Sequence, residues 1–246
     1  MIWNGGTFFP GIASIDVVCQ VRDFYHNLGI PLKLTLTNPL LTKEDCYDRY
    51  CNKIVELFET GENEILVASP ILEEYLRKKY PNYKFNRSIV ASKDDVNYED
   101  LLDRYSMIVL PRRKIKDFDF LNSIAPENRS RFELLCTDPC PIDCPRLYTH
   151  YEDYARTTLY ETSPRTPINK CSTFDAEDAV IQKMAFAQYQ ISYQEIIEKY
   201  VPLGFTEFKI SGRGSAQSAL FAVLPFLIQP QYQLAVAQYI LYRVTK

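Results

Sequence analysis

Glu64-Ile-Leu-Val-Ala68-Ser69-Pro70-Ile-Leu-Glu-Glu-Tyr-Leu-Arg-Lys-Lys79 is the stretch that decides the fold. Its first five residues read as a strand of the buried type, and residues 70–79 read as a short helix. A strand followed at once by a helix is half of a strand–helix–strand unit, which joins parallel strands by a crossover.

The same alternation runs outward from this stretch. Upstream, residues 15–28 show helical spacing and stop at Gly29, and residues 31–37 alternate Leu32, Leu34 and Leu36 as a strand does. Thr42-Lys-Glu-Asp45 resembles a capping box, opening a helix whose apolar stripe runs through Cys46/Tyr47, Tyr50/Cys51, Ile54/Val55 and Phe58. Downstream, strands are expected over 85–91, 106–110, 131–135 and 206–210, with helices over 98–104 and 118–124. A tyrosine-rich segment over 147–160 also reads as helical. Helices are expected over 176–189 and 192–200, the second with a capping box in Ser192-Tyr-Gln-Glu195. Two helices interrupted by Pro225 and Pro230 close the chain. With residues 1–4 as a short additional strand, the pattern predicts an α/β fold of the TIM-type (β/α) barrel kind. The last third is irregular or incomplete, because an eighth strand would have to lie between 157 and 173, where the pattern is poor. No repeat, low-complexity tract or linker divides the chain, so a single domain over 1–246 is expected.

Composition narrows the class. The 246 residues are 46% hydrophobic and 24% charged, ordinary for a globular chain with ample material for a core. A net charge of −3 argues against a surface that binds nucleic acid indiscriminately, while leaving room for a local basic pocket. The opening Met-Ile-Trp-Asn-Gly lacks the basic and apolar regions of a secretory signal. No apolar run approaches the roughly 20 residues of a membrane span. Seven cysteines in such a chain do not suggest a secreted disulfide framework. A cytoplasmic protein with no membrane partner is expected.

The sharpest chemical signal is Cys136-Thr-Asp-Pro-Cys140-Pro-Ile-Asp-Cys144-Pro145, which begins where the strand over 131–135 ends. The prolines remove backbone donors and fix φ, which suits a loop that aims several side chains at one point. Cys171 follows 27 residues after Cys144. Cys19, Cys46 and Cys51 instead lie on apolar helical stripes and read as small core hydrophobes. Thiolates in this arrangement serve iron–sulfur or zinc. Structural zinc usually shows two closely spaced pairs, whereas here three ligands cluster and one is remote. The trailing Cys-Pro resembles the runs that hold iron–sulfur cubes. The preferred reading is a four-iron four-sulfur cluster on Cys136, Cys140, Cys144 and Cys171, with zinc as the alternative. His150 is an alternative ligand, a neighbour of the site, or a surface residue.

Several blocks also resemble the collagenase-like peptidase family, family thirty-two of the unassigned peptidases, in its short single-barrel form. They are Leu34-Thr-Leu-Thr-Asn38, Glu64-Ile-Leu-Val-Ala-Ser69-Pro70, Arg87-Ser88-Ile, Cys140-Pro-Ile-Asp-Cys144-Pro-Arg-Leu-Tyr-Thr-His150-Tyr151, and Gly204-Phe-Thr-Glu-Phe-Lys209-Ile-Ser-Gly212-Arg213. The resemblance implies a TIM barrel. It also implies a four-iron four-sulfur cluster on four cysteines, and a part in oxygen-independent hydroxylation of RNA bases or of a small aromatic quinone precursor. The chain departs from the larger relatives in carrying Ser211 where they have an acidic residue and in its cysteine spacing, and no counterpart of their extra C-terminal domain is expected.

Barrel sites form at the C-terminal ends of the strands. Asn38, Ser69, Ser88, Arg112, Arg113, Cys136, Lys209 and Arg213 fall near such ends. Of these, Asn38, Arg112, Lys209 and Arg213 are candidate substrate-binding residues, and His150 is a candidate catalytic one. Gly212-Arg213-Gly214-Ser215 offers free backbone donors and a guanidinium to a phosphate or carboxylate, or else is a turn with a solvated arginine. Arg112-Arg113-Lys114-Ile-Lys116 reads as a solvated basic loop. The tyrosines at 148, 151, 154 and 160 suit either base stacking or a core face. There is no HExxH or GxSxG, and only two histidines, so peptidase activity has little support. The function expected is an iron–sulfur barrel acting in, or accessory to, modification of RNA or a small aromatic substrate. A zinc- or cluster-stabilised barrel that serves a protein partner as a binding, structural or assembly subunit is the alternative.

Overall fold

The computed structural model describes residues 1–5, 13–91, 96–137, 147–159, 191–210, 226 and 228–244. The helix expected over 176–189 lies outside them, as does most of the window for an eighth strand. In chain order the elements are α1 (Ile15–Asn27), β1 (Lys33–Leu36), a 3-10 turn (Glu44–Tyr47), α2 (Arg49–Leu57), β2 (Glu64–Val67) and α3 (Pro70–Lys79). There follow β3 (Lys84–Arg87), a 3-10 turn (Ile89–Ala91), α4 (Tyr98–Leu102), β4 (Met107–Val109), a 3-10 turn (Arg112–Lys114), α5 (Phe118–Ser123) and a 3-10 turn (Pro126–Arg131). Then come β5 (Phe132–Leu135), α6 (Leu147–Leu159), a helix in three pieces (Tyr193–Glu195, Ile196–Tyr200, Val201–Leu203), β6 (Glu207–Lys209) and α7 (Pro230–Val244). The chain divides into two compact units, Met1–Val109 with Pro145–Asn169 and Leu110–Cys144 with Lys170–Lys246.

In the first unit β1, β2, β3 and β4 pair as parallel neighbours in chain order. Parallel strands need a crossover between each pair, and α2, α3 and α4 occupy those three connections. Ile65, Leu66 and Val67 are all buried, so β2 is covered on both faces. Ser69 forms the entry to α3: its Oγ accepts from the Leu72 N–H at 3.3 Å, and Pro70 occupies the first turn, where a missing N–H is harmless. Asn52 ties α2 to α3, accepting from the Tyr75 hydroxyl and from Lys79 Nζ, both at 2.7 Å.

Residues 1–4 form a turn instead of a strand, closed by the Asn4 N–H donating to the Met1 carbonyl. The turn is held by Trp3, fully buried, whose indole donates to the Asp45 carbonyl at 2.8 Å. Gly5 beside it is required, since a Cβ there would sit 2.7 Å from the Thr37 carbonyl oxygen. Thr42 and Asp45 do bond to each other, but they close the 3-10 turn, and α2 begins later under its own cap, Asp48. The strand over 85–91 stops at Arg87, because Ser88 Oγ accepts from the Val90 N–H and turns the chain.

The second unit pairs β5 with β6, also in parallel. The capping box at Ser192 and Glu195 is present as read from the sequence. The helix it opens passes through a π-helical stretch, Ile196–Tyr200, directly before Val201–Leu203. Pro202 accounts for this slip: it has no N–H to give, and its ring crowds the carbonyl one turn back. Gly204, at φ 97°, ends the helix in the left-handed region, and the Phe205 N–H returns to the Tyr200 carbonyl at 3.1 Å. Tyr200 is fully buried and donates to the Ile115 carbonyl at 2.8 Å. The basic run is no plain solvated loop. Arg112 is buried, Lys114 bridges Asp117 at 2.7 Å, and Lys116 reaches Glu195 at 3.5 Å.

Glu73 of α3 anchors the most enclosed ion pair among the described residues of the first unit. Its side chain is 3% exposed and accepts from Arg77 Nε at 2.8 Å, Arg104 Nε at 2.7 Å and the Tyr105 hydroxyl. Burial alone pushes this carboxyl up, but the bonds from Arg104, Tyr105 and Arg77 prevail and hold it below the ordinary glutamate value. A carboxylate held low stabilises the fold above its unfolded value, about 4.3, and loses that contribution as pH falls through its folded value. We therefore expect Glu73→Gln to destabilise the protein by about 3 kcal/mol at neutral pH, from breaking a buried pair. The gap to wild type in urea melts should shrink as pH drops below about 4.

Candidate functional site

Each strand sends alternate side chains to opposite faces. In the first unit Ile65, Val67, Phe85 and Ile108 share one face, on which the Arg77 guanidinium of α3 lies 4.3 Å from the Phe85 ring centre. The other face carries Lys33, Glu64, Asn86 and Met107. Asn86 is fully buried and donates to Glu64 Oε2 at 2.6 Å, and Lys33 Nζ lies 3.7 Å from the same oxygen. The second unit repeats the division. Leu134 and Phe208 share the face packed by Tyr200, whose ring is 6.2 Å from that of Phe208. Glu133, Glu207 and Lys209 share the other. There Glu133 and Glu207 stand in register, and Lys209 Nζ lies 3.3 Å from Glu133 Oε1. Two carboxylates side by side repel, and the amine paired with Glu133 offsets part of that repulsion.

Polar strand faces of this kind are chemically competent surfaces: they combine a carboxylate, an amide and an amine in fixed register. Lys33, Glu64, Asn86 and Glu133 were not among the residues singled out from the sequence. Their signal was present as charged or amide residues at alternate positions of otherwise apolar strands.

The singled-out residues fare differently. Asn38, at the end of β1, is fully buried; its amide donates to the Ile2 carbonyl at 2.8 Å and the Ala155 carbonyl at 3.3 Å, while its oxygen accepts from the Leu40 N–H. It fastens the N-terminal turn and α6 to the strand end. Ser69 and Ser88 act as local caps. His150 is half-buried on α6, where Tyr148 and Tyr151 pack edge to face at 6.3 Å. His26 Nε2 bonds Asn63 Oδ1 at 3.1 Å, just before β2 and so at the N-terminal end of the strands. Arg213, Cys140, Cys144 and Cys171 lie outside the described residues, as does Tyr160.

Cys46 and Cys51 are buried within the helical layer, as their stripe implied, and burial pushes the Cys51 thiol up to about 12. Cys136 is also fully buried. It continues the pairing of β5 by one residue, its N–H donating to the Lys209 carbonyl at 2.8 Å and its carbonyl accepting from the Ile191 N–H at 3.1 Å. Alternation puts its side chain with Leu134, on the face that Tyr200 covers and opposite Lys209. Burial, and then the Glu133 charge, push its thiol up to about 12. Its Sγ–H donates weakly to the Leu134 carbonyl at 3.7 Å. That setting disfavours a free thiolate, so Cys136 could ligate only a metal that displaces its proton. Among the described residues no group of three or more His, Cys, Asp or Glu is arranged around a common metal position, and no helix is long and apolar enough to cross a membrane.

Lys209 has a structural partner in Glu133, which is 7% exposed. Lys209→Ala is therefore expected to cost about 1–3 kcal/mol in chemical denaturation, from leaving that carboxylate without its amine. An unchanged stability would mean that the amine is committed elsewhere.

No family model matches the chain, and no curated protein matches it. Among solved structures it is similar to one titled The Structure of the U32 Peptidase Mk0906. The TM-score is 0.49 and the identity 14%, over 68% of this chain and 74% of that one.

Proposed function

We propose that this chain is a (β/α)-barrel protein of the collagenase-like peptidase kind, a single domain located in the cytoplasm. In this reading it holds a four-iron four-sulfur cluster through Cys136, Cys140, Cys144 and Cys171. It acts in, or accessory to, oxygen-independent modification of RNA or a small aromatic substrate. The observation that supports this is the setting of Cys136. It is the first residue past β5, at the strand end where parallel α/β folds assemble their sites, and it is sealed from water. A bound cluster would supply one-electron transfer. The chain's own residues would do the rest: Cys136 gives up its proton on ligation, Tyr200 and Ile191 keep its surroundings dry, and Arg213 binds an anionic group of the substrate. A peptidase reading lacks a nucleophile–base motif in the sequence and is set aside.

A second reading is favoured by the engagement of Asn38 and Lys209 in internal contacts. In it, the cysteines hold zinc and the barrel serves a protein partner without catalysis.

Anaerobic purification with metal analysis separates the two. The first reading expects brown protein with about four irons per chain, and Cys144→Ser protein that is bleached or depleted in iron. Colourless protein carrying a single zinc selects the second. Protein without either metal, in wild type and reconstituted samples alike, overturns both.

A further inference from the structure

A cluster of charge lies on the helical layer of the first unit. Pro70, Glu74, Arg77, Lys78 and Arg104 line an open depression of about 510 Å³ between α3 and the segment that follows α4. Three of these five residues are cations. Their carboxylates are Glu73, buried beneath the depression, and Glu74, on its wall.

The geometry of the two arginines is what sets this depression apart from an ordinary patch of surface charge. Each gives its Nε to the same oxygen of Glu73, Arg77 at 2.8 Å and Arg104 at 2.7 Å. Arg77 is held further by its Nη2, which donates to the Arg104 carbonyl at 2.6 Å, and by the Phe85 ring 4.3 Å from its guanidinium. Arg104 gives its Nε to Glu73, lies with its guanidinium 5.8 Å from the Tyr105 ring centre, and remains 51% exposed, so part of its fork meets solvent. Lys78 stands beside them, 82% exposed, with Glu74 Oε1 at 4.0 Å as its counter-charge. A buried carboxylate thus pins two guanidinium groups by their inner nitrogens, where ion pairing on a surface would leave both mobile. Ordering has already been met by the fold, which is the condition under which a guanidinium fork binds an oxyanion well.

We propose that Arg77, Lys78 and Arg104 form a binding site for a phosphate group, with Glu73 as the positioning residue beneath it. The three cations exceed the two carboxylates by one charge, so a phosphate would be drawn in by field as well as by hydrogen bonds. Arg104 supplies the planar fork, Lys78 a flexible point charge, and Arg77 a fixed wall. The phosphate belongs either to a small phosphorylated molecule or to a nucleic-acid backbone, two sources with one chemistry.

The test is calorimetric titration of the full chain at low ionic strength with three probes: inorganic phosphate, uridine monophosphate, and a single-stranded 12-mer RNA. Saturable binding of phosphate is expected, weakened about tenfold by Arg104→Gln, which removes a charge-assisted bond. Lys78→Gln should weaken it less, and Glu74→Gln should tighten it. Lys78 is exposed enough that its variant folds normally, so a loss of binding there is not a loss of structure. A monophosphate that binds as tightly as the RNA identifies a small ligand; an RNA that binds more tightly, with the same response to Arg104→Gln, identifies the backbone. Absence of binding by all three probes overturns the proposal, as does binding that neither Arg104→Gln nor Lys78→Gln alters.

Discussion

Parallel pairing is the constraint on which the rest depends. Two parallel strands meet only if the chain returns along the full length of the first before starting the second. Each return in the first unit is a helix, and each helix covers one face of the strands it joins. Ile65, Val67, Phe85 and Ile108 are therefore apolar because they meet that layer. Lys33, Glu64 and Asn86 occupy the opposite face, where register brings them together in pairs across neighbouring strands. In the second unit β5 and β6 divide in the same way, with Tyr200 over one face and Glu133 and Lys209 on the other.

Buried charge follows from this arrangement, and two buried carboxylates are matched by cations. Glu73 faces two guanidinium groups and a phenol; Glu133 faces an amine. Isolated charges in such places would be neutralised or expelled, because desolvation outweighs a single weak contact. The helical layer thus groups its ions around one buried carboxylate, whereas the strand faces carry theirs in rows.

Much of this was legible in the sequence. Residues 70–79 form the expected helix, five of the strands fall within their expected stretches, and the capping box at Ser192 is real, because these features are local. What could not be read depended on partners far along the chain. Trp3 lies beside Asp45 and Tyr75, so a segment with the alternation of a strand becomes a turn that plugs the layer. Asn38 looked like a free amide at a strand end; its bonds to Ile2 and Ala155 span 36 and 117 residues. The loop cysteines stood out by spacing alone, but the face on which Cys136 lies depends on its pairing with Lys209, a contact that no local pattern encodes.

The buried indole has a practical consequence. Trp3 is the sole tryptophan of the chain, and it sits at 0% exposure with the Tyr75 ring 6.3 Å away, edge to face. Its fluorescence is thus a built-in gauge of whether the first few residues are seated. Emission from this one chromophore, excited selectively over the tyrosines, would follow the release of the N-terminal turn from α3, while the second unit adds nothing to the indole signal.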